Sequence, residues 1–211
     1  FIDQYVDDYE GLRLVSECFA EDVKMVSDAD LDIVVDNTKL KGSVIIAGSV
    51  DNNMLINKLV QEGKLNVDEI RGKWEVYKID VVENPFDGVD KALVITGSDK
   101  RGTMYGLFSI SELMGVSPWV YWADVNPVKK DEISFKYSEI RTVSKEPSVK
   151  YRGIFLNDEE PSLGTWVNNK FKTTSGGKFN ENFYEHVFQL LLRLKANYMW
   201  PAMWNSSFGA Y

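Results

Sequence analysis

Lys150 to Glu160 reads K-Y-R-G-I-F-L-N-D-E-E, and this stretch decides the fold. Tyr151, Ile154, Phe155 and Leu156 form a short apolar run interrupted by Gly153. Apolar residues at consecutive positions suit a strand buried on both faces, as in parallel sheets and barrels. The run then stops in Asn157, Asp158, Glu159 and Glu160. An amide and three carboxylates at the carboxyl end of a buried strand stand where (β/α) barrels carry their chemistry. The competing reading is a solvated turn, because acidic residues crowd loops generally.

The residues that follow favour the first reading. Pro161 and Gly164 mark a loop that also carries Trp166. Phe179 to Lys195 has helical periodicity, with Phe183, Val187, Leu190, Leu191 and Leu194 on one face. Asn180 is the expected N-cap, and Glu181 falls in the first turn, where the helix dipole favours an acid. Ala196 to Met203 is a second apolar run, ending in Trp204, Asn205 and Ser206. Strand, loop, helix and strand make a βαβ unit, whose two strands are expected to be parallel. Both strands then end on one edge in polar and aromatic groups.

Composition bounds the alternatives. In 211 residues, 44% apolar and 13% aromatic content is enough for a packed core. A net charge of −8 lacks the basic footprint that nucleic acid requires, so no nucleic-acid partner is expected. An anionic ligand would have to meet locally placed Arg or Lys. The single cysteine, Cys18, excludes an intrachain disulfide and a cysteine-based zinc site, and it reads as a small core residue. No metal site is assigned. No apolar run approaches the roughly 18 residues of a membrane span, so no membrane partner is expected.

Along the chain, Phe1 to Val6 and Leu31 to Val35 read as strands, and Asp7 to Val26 as an amphipathic helix. Gly42 to Gly48 reads as a buried strand and Asn53 to Gln61 as a short helix closed by Gly63. Trp74 to Val82 alternates like a half-exposed strand and Lys91 to Thr96 like a buried one. Gly97 to Gly102 resembles a phosphate loop only in its two glycines, for Thr103 and Met104 stand where Lys-Ser/Thr is required. A strand-to-helix turn needing glycine dihedrals, with Asp99 at the helix start, is the better reading. The helix Thr103 to Met114 is then closed by Gly115. The aromatic segment Pro118 to Asp124 is either a sugar-stacking platform or, as favoured here, a surface welding two domains. Asn126 to Val149 reads as extended linking structure. The expected architecture is α/β: a small N-terminal α/β domain with a mixed sheet over 1–145, then, over 146–211, the first βαβ unit of a (β/α)₈ TIM barrel.

Two pairs of segments carry a family resemblance. G-S-D-K-R-G-T-M-Y-G-L-F at 97–108 and G-V-S-P-W-V-Y-W-A-D at 115–124 resemble the N-terminal α/β domain of xylan-debranching glycoside hydrolases. Y-R-G-I-F-L-N-D-E-E at 151–160 and L-L-R-L-K-A-N-Y-M-W-P-A-M-W at 191–204 look like the opening of their catalytic barrel. The family is glycoside hydrolase family 115, the α-glucuronidases that remove (4-O-methyl)glucuronic acid from xylan. The resemblance implies inverting hydrolysis, no cofactor, and a pocket at the carboxyl end of a (β/α)₈ barrel. Its implied partner is glucuronoxylan or its oligosaccharides; a homodimer of the full-length enzyme stays open. A secreted or periplasmic location is favoured over a cytoplasmic one, with the compartment left open. Residues 146–211 fall far short of the about 200 that a barrel needs, so the chain is expected to be an inactive N-terminal fragment of a longer enzyme.

Inversion needs a carboxylic acid and a carboxylate roughly 6.5–9.5 Å apart. Three adjacent acids cannot readily supply both, so one or two of them take a binding or electrostatic role and the acid comes from a later strand. The family match points to Asp158 first and Glu159 second as catalytic residues, with Asn157 beside them. Trp166 and Trp204 are candidates for sugar-ring contact, and Asn205 for a sugar hydroxyl. Arg152 starts the strand, the wrong end for a uronate, so it reads as a packing or salt-bridge residue; Lys170 and Lys172 are better placed. His186 reads as a histidine at the edge of the helix's buried face. A β-N-acetylhexosaminidase-like glycosidase and a non-catalytic carbohydrate-binding module are the alternatives.

Overall fold

The computed structural model describes residues 1–171, 179–204, 206 and 208. The chain divides into two compact units, Phe1–Ser148 and Val149–Tyr211.

The first unit is a mixed α/β domain. Helix α1 (Tyr9–Ser27) turns Leu12, Val15, Phe19 and Val26 inward, and Arg13 pairs with Glu17 one turn on along the outer face. The periodicity misses Asp22, which is buried in the same inward stripe. Strand β1 (Gly42–Ser49) leads to α2 (Met54–Gln61), whose N-cap Asn53 accepts from Leu55 N–H and Ile56 N–H. Strands β2 (Tyr77–Phe86) and β3 (Val89–Gly97) form a hairpin with Gly88 in its two-residue turn at φ +79°. Helix α3 (Lys100–Met114), a short α4 (Tyr137–Ile140) and β4 (Thr142–Val143) complete the unit. The sheet order is β1-β3-β2-β4, with β1 parallel to β3 and β2 antiparallel to both β3 and β4. Ile46, Ile56, Leu59, Ile70 and Val94 form one buried cluster. Tyr105 and Phe108 are fully buried on α3, which packs against α1 and β3.

Several expectations are corrected in this unit. Phe1–Val6 and Leu31–Val35 are not strands. Ile2 N–H donates to Val34 O at 3.1 Å and Ala47 N–H to Phe1 O at 3.0 Å, which are isolated contacts too few to make a ladder. Gly97, before α3, and Gly102, in its first turn, are required for space rather than for their dihedrals: neither has a positive φ, and a Cβ on Gly102 would stand 2.3 Å from Val76 O. Asp99 caps the helix by accepting from Gly102 N–H at 2.8 Å. The two cations there are engaged, Lys100 with Asp7 O and Arg101 with the buried Glu75. In the aromatic segment, Tyr121 and Trp122 meet edge to face at 5.3 Å, while Trp119 stays exposed. The linking stretch after it is not wholly extended, because the helix α4 lies within it, ahead of β4.

The second unit contains β5 (Gly153–Phe155), α5 (Leu163–Lys170), α6 (Glu181–Arg193) and β6 (Tyr198–Trp200). The two strands pair in parallel, Ile154 opposite Met199. Asn180 caps α6 by accepting from Phe183 N–H, and Phe183, Val187, Leu190 and Leu191 are buried. Leu194 is exposed instead, because the helix ends at Arg193 and Lys195 turns the chain with φ +58°. The expectation of a first strand buried on both faces is also corrected: Phe155 is 49% exposed. A stave is covered on both faces only when inner and outer layers surround it, and among the described residues it has one partner strand. The segment read as a loop holds α5, which the sequence hides because β-branched Thr165 and Val167 and two asparagines are poor helix formers. Capping by Ser162 Oγ and burial of Val167 outweigh that propensity.

Candidate functional site

The site is built from the two strand ends of the second unit. At their starting edge, Arg152 and Asn197 fix the register. The Arg152 guanidinium donates from Nε and Nη2 to Lys195 O, at 3.0 and 2.8 Å, and from Nη1 to Val149 O at 2.9 Å. Asn197 Oδ1 accepts from Arg152 N–H, and its Nδ2 donates to Lys150 O. Arg152 therefore binds one carbonyl just past α6 and one just before β5, which is a packing role at the edge away from the acids. Above this clamp the strands run side by side until Leu156 N–H donates to Trp200 O at 2.9 Å. Asn157–Glu160 and Pro201–Trp204 then leave the sheet on the same edge.

The acids on that edge differ in their surroundings. Asp158 is 1% exposed, and its Oδ1 accepts from the Trp204 backbone N–H at 3.1 Å. Glu160 is exposed and accepts from Thr165 Oγ1 in the first turn of α5. Gly164 lets that turn approach, since a Cβ there would lie 2.8 Å from Asp158 O. Glu159 and Asn157 are exposed, and Glu159 has no hydrogen-bond or ion-pair partner among the described residues. Of the residues expected at the site, the structure brings Asp158 to the Trp204 backbone; Asn205 and Lys172 lie outside the described residues.

Trp166 stands on α5, half-exposed and backed by an aromatic row. Its ring meets Phe171 at 5.8 Å, Phe171 meets Phe183 at 5.8 Å, and Phe183 meets Phe179 at 5.0 Å, all edge to face. The row ties α5 to α6 and holds the indole without covering it. Trp204 is 68% exposed. Sequence reasoning passed over a further aromatic face. Phe155 and Trp200, directly paired, meet edge to face at 5.7 Å, and Trp200 Nε1–H donates to the Tyr198 hydroxyl Oη at 2.5 Å. Period-two alternation in Tyr198-Met199-Trp200 was the available signal.

Lys170 and His186 lie near this aromatic row rather than among the acids. The His186 ring sits 5.9 Å from that of Phe171. Burial lowers its pKa below the ordinary value of 6.5; Glu185 opposes the shift and Lys170 adds to it. In the unfolded chain the imidazole takes its proton near 6.5, and in the fold only at lower pH. The contribution is thus fully present above pH 6.5 and is lost as pH falls through the folded pKa. Urea midpoints of wild type should fall on acidification from about pH 7.5 to about pH 5, and His186→Gln should reduce that fall. Equal falls in both proteins would exclude His186 as a source.

Among the described residues no group of three His, Cys, Asp or Glu side chains is arranged to hold a metal ion, and no helix is long and apolar enough to cross a membrane. A cavity of about 300 Å³ in the first unit is lined by Phe19, Ile33, Leu40 and Val44, and it includes none of the candidate residues.

Comparison with known proteins adds independent findings. Residues 144–210 match the family model of glycosyl hydrolase family 115. A solved structure described as a novel family GH115 4-O-methyl-α-glucuronidase, with specificity for decorated arabinogalactans, is similar to 91% of this chain at 34% identity and a TM-score of 0.74. The chain spans 23% of that protein's length. No curated protein matches it.

Proposed function

The chain belongs to glycosyl hydrolase family 115, and from that premise we propose that its parent protein is an α-glucuronidase releasing (4-O-methyl)glucuronic acid from xylan side chains with inversion. The observation that carries this reading is the common edge of β5 and β6. Parallel pairing brings an acidic strand end and an aromatic one together within the matched segment.

In an inverting hydrolysis a carboxylic acid protonates the glycosidic oxygen as its bond to C1 breaks. A carboxylate removes a proton from water, whose oxygen bonds to C1 from the opposite face. The products are the uronic acid with inverted anomeric configuration and the free hydroxyl of the polymer. Asp158 and Glu159 are the proposed source of one of the two carboxyl groups. Their Cα atoms are about 3.8 Å apart, too close to straddle a sugar and a water, so the other carboxyl belongs to a different strand of a complete (β/α)₈ barrel. Asn157 and Asn205 supply hydrogen bonds to sugar hydroxyls, and Trp166 and Trp204 the apolar ring contacts. A polymeric substrate favours a secreted or periplasmic enzyme.

The similar protein's specificity favours one second reading, a glucuronate-decorated arabinogalactan as the polymer. Both are tested by incubating the full-length protein with glucuronoxylan and with decorated arabinogalactan and measuring free uronic acid. Release from xylan is expected, and residues 1–211 alone should release none. Release from arabinogalactan only would replace the substrate, and release from neither would overturn the reading.

A further inference from the structure

The three consecutive acids have different surroundings, and their surroundings assign them different work. Asp158 is almost wholly buried, with Oδ1 accepting from the Trp204 backbone N–H at 3.1 Å, 46 residues further along the chain. Glu160 is held by Thr165 Oγ1 at the start of α5. Glu159 points out between them, without a partner among the described residues. A buried carboxyl group tied to a backbone N–H is held away from solvent, whereas an exposed carboxylate is available to a substrate or a water.

We propose that Asp158 is a positioning residue, a strap from the end of β5 to the loop after β6 that sets Trp204, and that Glu159 is the carboxylate of this segment that meets substrate. The inference rests on the glycosidase reading and reverses its order of candidates. Physically, the loop after β6 leaves the sheet at Pro201, and Trp204 N–H would otherwise have to find an acceptor outside the ladder. The buried carboxyl group supplies it, in surroundings where a hydrogen bond is stronger than at the surface. Fixing the backbone at Trp204 fixes where its exposed indole can stand. Asp158 thus acts on the sugar through Trp204, and its removal should be felt in binding first.

The test compares Asp158→Ala and Asp158→Asn in the full-length protein. The asparagine amide oxygen can take the place of Oδ1 as acceptor but cannot exchange a proton at working pH. Asp158→Ala is expected to lower kcat/KM by about 10- to 100-fold, mainly through KM, the loss carried by stranding one buried hydrogen-bonding group. Asp158→Asn should recover about tenfold of that and retain both limbs of the pH–rate profile. Equal damage in the two variants, or a lost limb in Asp158→Asn, would make Asp158 itself catalytic and overturn the proposal. Amide hydrogen exchange at Trp204 reads the strap without substrate. It should quicken about tenfold or more in Asp158→Ala and return toward wild type in Asp158→Asn. Unchanged exchange in Asp158→Ala would remove the strap, whereas wild type inactive on every glucuronate-bearing polymer, with the exchange pattern as expected, would overturn only the substrate reading.

Discussion

Glu159→Gln in the full-length protein is expected to lower turnover by about 10²–10⁴-fold while leaving KM within a small factor of wild type, the pattern for loss of a proton-transferring or charge-stabilising carboxyl. The substitution keeps size, removes charge and proton exchange, and turns one acceptor oxygen into an amide donor. Glu159 is exposed and no described residue pairs with it, so the change should cost little stability. An unchanged unfolding midpoint would therefore isolate the kinetic effect. Turnover close to wild type would remove Glu159 from the chemistry and send the search for both carboxyls to other strands.

Gly153→Ala is expected to disrupt the second unit. A Cβ on residue 153 would lie 1.7 Å from Tyr198 O and 2.4 Å from Tyr198 C, both backbone atoms of the paired strand. No rotamer change can relieve a clash with backbone, so β5 and β6 must separate or slip. Separation strains the bond from Tyr198 N–H to Arg152 O, and slipping moves Asp158 away from Trp204 N–H. We expect a loss of about 3 kcal/mol, at the upper end for overpacking, read as a lower unfolding midpoint of the full-length protein. Faster amide exchange at Tyr198 should accompany it. A Gly153→Ala protein with wild-type midpoint and exchange would contradict the observed pairing.

The two substitutions separate scaffold from chemistry, and legibility in the sequence divides in a similar way. Periodicity located α1 and α6, because each buries one stripe at helical spacing, while polar caps and closing glycines located α2 and α3, the latter buried almost all round. The same logic located β1, β2 and β3. It failed at Phe1–Val6 and Leu31–Val35, where apolar residues are present but a partner ladder is not. It failed again at α5, where local propensity opposes the helix and tertiary burial of Val167 favours it.

The sequence by itself determined the classes of element, the two-part organisation of the chain, and the acidic and aromatic strand ends that carry the family resemblance. Only the tertiary structure decided which acid is which. Asp158, Glu159 and Glu160 are neighbours with nearly the same chemistry, and nothing in their order says which carboxylate meets Trp204 N–H or Thr165 Oγ1 and which meets water. That choice depends on atoms distant in sequence, brought to one edge by the pairing of β5 with β6, and on an alternation of side-chain direction that only a folded backbone fixes.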